Sequence, residues 1–374
     1  MYHKEQIREA AAGCGFELCG FASPDPSADI ARYREWTAAG FAGAMGYLTD
    51  YRADVREDPR RLLTSTRSII CLGKVYNWPA AYSTEHPDNY EATRAWVSRY
   101  AWGDDYHDVM RTGMTELVEE LRREMEFEWK ICVDTAPLLE RSYARLAGLG
   151  WIGRNTCVIN QQLGSWIFLG EILTSLELEP DAPPPDRCGT CTRCIEACPT
   201  DAIVPAAGGY TIDSRLCISY LTIELRGEIP ADRRAGLGRH VFGCDICQDV
   251  CPWNRRAATT EDPHFAPRHQ SPDLAQIACI SEAEFRGMFR GTPISRARYS
   301  GFLRNVAVAM GNSGDARLLE PLEKLSRSED PVVAQHAAWA IERLRHPGRS
   351  HQAEPDGPVP QSAQSSPAPH LPGK

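Results

Sequence analysis

The stretch Cys188-x-x-Cys191-x-x-Cys194-x-x-x-Cys198-Pro199 has the spacing by which bacterial ferredoxins hold iron–sulfur clusters. Further on, Cys244-x-x-Cys247-x-x-x-Cys251-Pro252 repeats the run without its first cysteine, and Cys217 between the two runs is the obvious stand-in. Eight thiols result, the number that two 4Fe–4S clusters need. In two-cluster ferredoxins the fourth cysteine of each run ligates the other run's cluster. The spacing therefore predicts Cys188, Cys191, Cys194 and Cys251 on one cluster, and Cys198, Cys217, Cys244 and Cys247 on the second. Paired CxxC runs also serve structural zinc, but eight thiols with two x-x-x-Cys-Pro endings favour the clusters.

Around this stretch lies a chain of 374 residues, long enough for two or three domains with sizeable cores. With 43% apolar and 24% charged residues it has a soluble globular composition, and no apolar run has the length of a membrane helix. Residues 1–22 read as an amphipathic helix-like segment, not a signal peptide, and carry no twin-arginine pair, so a cytoplasmic location is expected. Fourteen cysteines in that compartment point to metal ligation instead of disulfides. The six outside the runs (Cys14, Cys19, Cys71, Cys132, Cys157 and Cys279) sit in apolar surroundings and are expected in the core. A net charge of −9 argues against a general nucleic-acid binder and requires any basic surface to be local.

Taken in order, residues 1–45 read as two helices at helical apolar spacing. Arg67–Tyr76 reads as a strand, a charged helix follows Tyr106 to about Met125, and Trp129–Val133 is a short strand. Asp134-Thr135-Ala136-Pro137 then resembles a helix start, with the aspartate as cap. Thr156–Ile159 and Trp166–Thr174 look like two strands of one sheet joined by a turn. These alternations predict an α/β domain over 1–180, followed by a ferredoxin-like double-cluster domain over 181–260. Two helices with a repeated pattern between Ser300 and Arg345 predict a HEAT-like helical domain over 261–346, too short to stand without docking. A Pro-, Ser- and Gln-rich tail over 347–374 reads as disordered.

Clusters alone move single electrons and do no organic chemistry. One reading is thus an electron carrier that docks on a partner; the other is an enzyme whose first 180 residues hold a further cofactor. No Gly-x-Gly-x-x-Gly follows a strand and no Walker lysine loop is present, so a flavin or nicotinamide site has no support. Asp105-Tyr106-His107-Asp108-Val109-Met110 resembles the Asp-x-His-x-x-Gly cobalamin motif, but Met110 replaces the glycine and a chance match is favoured.

Longer matches decide between these readings. Residues 99–107 (RYAWGDDYH), 133–141 (VDTAPLLER), 148–156 (GLGWIGRNT) and 242–254 (FGCDICQDVCPWN) resemble the epoxyqueuosine reductase family, cobalamin- and iron–sulfur-dependent enzymes of tRNA modification. The likeness extends over about residues 1–345. It implies removal of the epoxide oxygen of epoxyqueuosine at the wobble position, with low-potential clusters reducing cobalamin that is held base-off without a protein histidine. It implies Asp134 as proton donor, with its pKa raised in an apolar, cofactor-covered pocket. Arg56, Tyr100, Asn155, Thr156, Ser219 and Asp245 are implied candidates for the cobalamin pocket, and Tyr106 and Arg141 for substrate. The basic segment Phe285–Arg304 offers Arg296, Arg298 and Arg304, with Arg286 and Arg290, to tRNA phosphates, and Phe289, Tyr299 and Phe302 to splayed bases or to the core. Partners expected are a tRNA with a queuosine-type anticodon and a low-potential electron donor, the chain acting as a monomer. The rivals are a small-molecule reductase related to reductive dehalogenases, and the electron carrier.

Overall fold

The computed structural model describes residues 4–85 and 91–347. The tail expected over 347–374 lies, apart from Pro347, outside the described residues. Four strands form the central sheet in the order Leu18–Ala22, Ser68–Val75, Ile167–Thr174, Trp129–Cys132, and every pairing is antiparallel. Side chains alternate across a strand, and this sheet uses both faces. Ile70, Leu72 and Ile172 pack against Ile7 and Ala11 of the helix Lys4–Gly13 and against Met110, Met114 and Leu117 of the helix Tyr106–Arg122. Ile69, Cys71 and Leu173 point the other way, onto Tyr143 and Ala144 of the helix Glu140–Leu146.

Helices therefore cover both faces of the sheet as expected for the first domain, but the strands are antiparallel where an α/β reading implies parallel ones. Residues 1–45 also hold the edge strand Leu18–Ala22 between their two helices. Val158–Ile159 pairs with Trp151–Ile152 and not with Ile167–Thr174, so the expected two-strand unit is not formed. Asp134 caps no helix: its φ is +49°, and the helix begins only at Glu140. Of the six spare cysteines only Cys71 and Cys132 are buried; Cys14, Cys19 and Cys157 are half-buried and Cys279 is exposed.

The cysteine runs fold as short helices, Arg193–Glu196 and Ile246–Asp249, flanking a hairpin of Ile203–Ala206 and Gly209–Ile212. Beyond them, the helices Leu274–Ala278, Glu282–Met288, Arg298–Asn312, Leu319–Leu325 and Pro331–Arg345 share one core. Trp96, Val97 and Trp102 from the first part of the chain are built into that core, together with Val241 and Phe242. A parallel pairing of Trp96–Val97 with His240–Phe242 carries the backbone directly into Gly243-Cys244. No described helix is long and apolar enough to cross a membrane.

Candidate active site and cluster ligands

Packing brings two pairs of the eight thiols together. Cys188 and Cys251 share an apolar cluster with Trp151, Ile159 and Trp253, while Cys217 and Cys244 share another with Ile218, Tyr220 and Val308. The thiols that act on Cys194 are Cys251, Cys188 and Cys191, and those that act on Cys244 include Cys217 and Cys198. Cys247 feels Cys244, Cys217 and also Cys194, so the two sets adjoin. Among the described residues no three His, Cys, Asp or Glu side chains converge tightly enough for a single metal ion. One thiolate for each iron corner of a cube is a wider arrangement than four ligands on one zinc.

Beside the second set, the loop Asn155–Cys157 and the buried Asp245 form a wall. Asn155 donates from Nδ2 to the carbonyl of Cys247 (3.4 Å) and its Oδ1 accepts the N–H of Cys157 (3.2 Å). Asp245 accepts from the Ser98 hydroxyl (2.6 Å) and the Arg99 N–H (2.7 Å), which occupies both of its oxygens. Ser219 follows Cys217 and hydrogen-bonds its thiol. Arg56 is also buried: its Nη1 donates to the Tyr47 carbonyl (3.2 Å) and its guanidinium lies over the Tyr33 ring. Asp245 thus braces the wall through Ser98 and Arg99.

Asp134 stands in the loop between the strand Trp129–Cys132 and the helix Glu140–Leu146, with its side chain 42% exposed. His107 Nε2 lies 3.2 Å from its Oδ2, and Arg296 Nη1 3.5 Å. Arg296 is itself held by Glu224 (Nε to Oε1, 2.8 Å) and contacts the Tyr47 hydroxyl (3.3 Å). Tyr106 is sandwiched between His107 (4.1 Å between ring centres) and Phe168 (4.4 Å), with Tyr100 edge-on at 6.1 Å. Arg141 crosses to Thr156, donating to its carbonyl (3.0 Å) and hydroxyl (3.1 Å). Asp134, Thr156 and Arg298 all adopt the left-handed backbone, at φ +49°, +63° and +59°. Strained non-glycine residues of this kind gather at functional sites.

The charge pattern differs from the expected one. Partial burial tends to raise Asp134, but the His107 hydrogen bond and the charges of His107, Arg296 and Arg141 outweigh it and hold the carboxyl below its usual range. For His107 burial works downward, and the hydrogen bonds to Asp105 and Asp134 overcome it, lifting the imidazole to about 9. Burial and the charge of Asp134 push Glu140 up to about 8. These shifts favour the protonated forms of His107 and Glu140 and the ionised form of Asp134 between them.

Arg304 corrects an expectation. It is 1% exposed and spends its donors on the carbonyls of Leu221 (2.7 Å), Leu225 (3.0 Å) and Gly227 (2.7 Å), so it grips the chain and no phosphate. Phe289 and Phe302 are likewise core residues, while Arg286, Arg290 and Arg298 are exposed. Glu140, Glu224 and Tyr47 join the site without having been singled out from sequence, and His107, set aside there as a chance motif match, joins it as the partner of Asp134. Only His107 carried a signal there: an N-cap aspartate two residues before it, which in the structure binds its backbone N–H and its ring.

Comparison with known proteins sets this cleft in a lineage. Residues 187–254 match the 4Fe-4S double cluster binding domain, and residues 56–135 match the family described as Epoxyqueuosine reductase QueG. An epoxyqueuosine reductase of Xanthomonas campestris is 41% identical over 343 residues, covering 90% of this chain and 94% of that protein. The chain belongs to the epoxyqueuosine reductase family. The Escherichia coli epoxyqueuosine reductase is 36% identical over 344 residues, covering 90% of this chain and 88% of its own. An epoxyqueuosine reductase solved with an epoxyqueuosine-modified tRNA-Tyr stem loop superposes with a TM-score of 0.83 at 30% identity, covering 92% of this chain and 90% of that one. The Streptococcus thermophilus epoxyqueuosine reductase gives 0.84 at 28% identity, covering 93% and 92%.

Proposed function

We propose that this chain reduces epoxyqueuosine at the wobble position of tRNA to queuosine, with electrons passing through two 4Fe–4S clusters to cobalamin and Asp134 as proton donor. The observation that carries this reading is the placement of Asp134: hydrogen-bonded to His107, beside a fixed Arg296, and under the charge of Arg141, which bonds Thr156 next to Asn155 at the Cys247 carbonyl. The crossed ligand sets, Cys188, Cys191, Cys194 and Cys251 against Cys198, Cys217, Cys244 and Cys247, are supported by the packing of Cys188 with Cys251 and of Cys217 with Cys244.

The reaction breaks two C–O bonds, makes one C–C double bond, and releases the oxygen as water, taking up two electrons and two protons. When bound, cobalamin supplies low-valent cobalt from which those electrons reach the epoxide. The donor set fits such a cofactor. Tyr100, Thr156 and Ser219 would offer hydroxyls to the amide rim of a corrin, and Asn155 the Nδ2 hydrogen left beside its bond to the Cys247 carbonyl. Both His107 nitrogens are taken by carboxylates, so His107 would serve the proton chemistry and not hold the cofactor's metal. Arg56 and Asp245 complete the set proposed for the cobalamin pocket. Asp134 becomes a donor when the cofactor and substrate cover the cleft, because losing water favours the neutral acid. Tyr106 and Arg141 orient the substrate ring over it.

Arg296 and Arg298, with the exposed Arg286 and Arg290, meet tRNA phosphates beside a HEAT-like helical end that docks the stem loop. The chain works as a cytoplasmic monomer and takes electrons from a low-potential donor.

The test is turnover by anaerobically reconstituted protein with a chemical reductant, on tRNA carrying epoxyqueuosine, with and without cobalamin. Mass analysis of the released nucleosides should show loss of one oxygen only when cobalamin is present. Intact clusters and bound cobalamin with no conversion would rule the reading out.

A further inference from the structure

Two protons leave with each oxygen, yet Asp134 holds at most one. Its neighbour His107 is clamped on three sides. Nε2 meets Asp134 Oδ2 at 3.2 Å and Nδ1 meets Asp105 Oδ1 at 2.7 Å, while the ring lies on Tyr106. Asp105 also caps the helix through the His107 N–H (3.1 Å), which fixes the rotamer that makes both ring bonds. The imidazole thus bridges two carboxylates, one at each nitrogen. Asp105 in turn lines an open cavity of about 460 Å³ with Asp104, Asp108, Asp262 and His264, a cavity to which Asp134 does not contribute.

We propose that His107, held between Asp105 and Asp134, relays the second proton of each turnover, recharging Asp134 through Nε2 between its two protonations. The inference rests on Asp134 being the donor. Two electrons arrive from the low-potential donor through the clusters, the two C–O bonds break and the double bond forms. Asp134 gives its proton to the departing oxygen. The His107 imidazolium then passes its Nε2 proton to Asp134 Oδ2 and stays as a neutral ring with its Nδ1 proton on Asp105. Asp134 gives this second proton to the oxygen, water leaves, and both groups regain their protons from solvent before the next turnover.

The electrostatic surroundings agree with the geometry. Burial pulls the His107 pKa down and its two carboxylate bonds raise it to about 9, so the ring is charged at neutral pH. Glu140 also faces His107, Arg111 acts on Asp105, and Arg141 and Arg296 act on Asp134. His107 acts through Asp134 and is a positioning and relay residue.

Wild type, His107→Gln and Asp105→Asn, each loaded with clusters and cobalamin, distinguish a relay from a scaffold. Nitrogen NMR of the imidazoles, assigned by the signal that His107→Gln removes, should place the wild-type midpoint near 9 and the Asp105→Asn midpoint at least about one unit lower. Single-turnover rates on epoxyqueuosine tRNA should hold to that pH and fall above it in wild type. The fall should move down with the NMR midpoint in Asp105→Asn. His107→Gln should slow the reaction by roughly a hundredfold or more and abolish the limb. A His107→Gln rate within about threefold of wild type with the limb intact, or a wild-type midpoint at the ordinary value of about 6.5, overturns the relay alone. No conversion by wild type overturns the functional reading itself.

Discussion

Glu140 accepts a hydrogen bond from the main-chain N–H of Asp134 through its Oε1. The bond spans the turn that leads into the helix Glu140–Leu146 and holds Asp134 at φ +49°. Replacing the acceptor should free the loop and spoil the aim of the carboxyl toward the cleft. Glu140→Leu is expected to lower the single-turnover rate by about ten- to a hundredfold, since a misplacement near 1 Å has effects of that size. Glu140→Gln keeps a carbonyl acceptor and should recover most of the rate. Cluster absorbance, read in parallel, should be unchanged in both.

Behind Glu140 lies Glu171, opposite Cys71 and Cys132 in the sheet, fully buried and with neither carboxyl oxygen partnered. Burial first, and the charge of Glu140 second, hold its pKa well above the usual range. The folded state therefore keeps it neutral while the unfolded chain ionises it. Its contribution is full below the unfolded value and declines as pH rises toward the folded one. Glu171→Gln should accordingly gain on wild type by about 1.4 kcal/mol for each pH unit across that window. Urea midpoints at pH 5 and pH 8 measure this; a gap of equal size at both would contradict a neutral Glu171.

For the clusters, Cys251→Ala should damage the same electron paramagnetic resonance signal as Cys188→Ala, because the two residues pack together. If Cys251→Ala instead reproduces Cys244→Ala, the crossed ligand sets are wrong.

Two arginines six residues apart should respond in opposite ways. Arg304→Ala leaves the buried carbonyl of Leu221 unpaired, frees those of Leu225 and Gly227 to water, and should destabilise the fold by about 1–3 kcal/mol. Its tRNA affinity, measured well below the melting temperature, should barely change. Arg298→Ala, at an exposed position, should leave stability within about 0.5 kcal/mol, weaken tRNA binding, and reduce the salt slope by about one ion.

The cysteine spacing was legible because each ferredoxin run brings its thiols together through short local loops, independent of the rest of the fold. Asp134 was legible through resemblance, but not its conformation. Sequence favoured a helix cap, since Asp before Thr-Ala-Pro satisfies local cap rules, whereas the left-handed turn is imposed by Glu140 six residues on. Glu224 and Tyr47 reach the cleft only by tertiary packing around Arg296, and nothing local marks them. Arg304 misled for the converse reason: a charged residue in a basic run looks solvated until the carbonyls it serves, some eighty residues earlier, are in place. Antiparallel sheet order was hidden in the same way, because alternating helices and strands do not fix strand direction.

The most direct test of the account is one comparison. Wild-type and Asp134→Asn proteins, with equal cluster and cobalamin content, are given reductant and epoxyqueuosine tRNA, and the nucleosides are weighed. The account predicts a product lighter by one oxygen from wild type and a rate at least about a hundredfold lower from Asp134→Asn, with cobalamin still reduced in both. Equal conversion by the two proteins would contradict Asp134 as the proton donor.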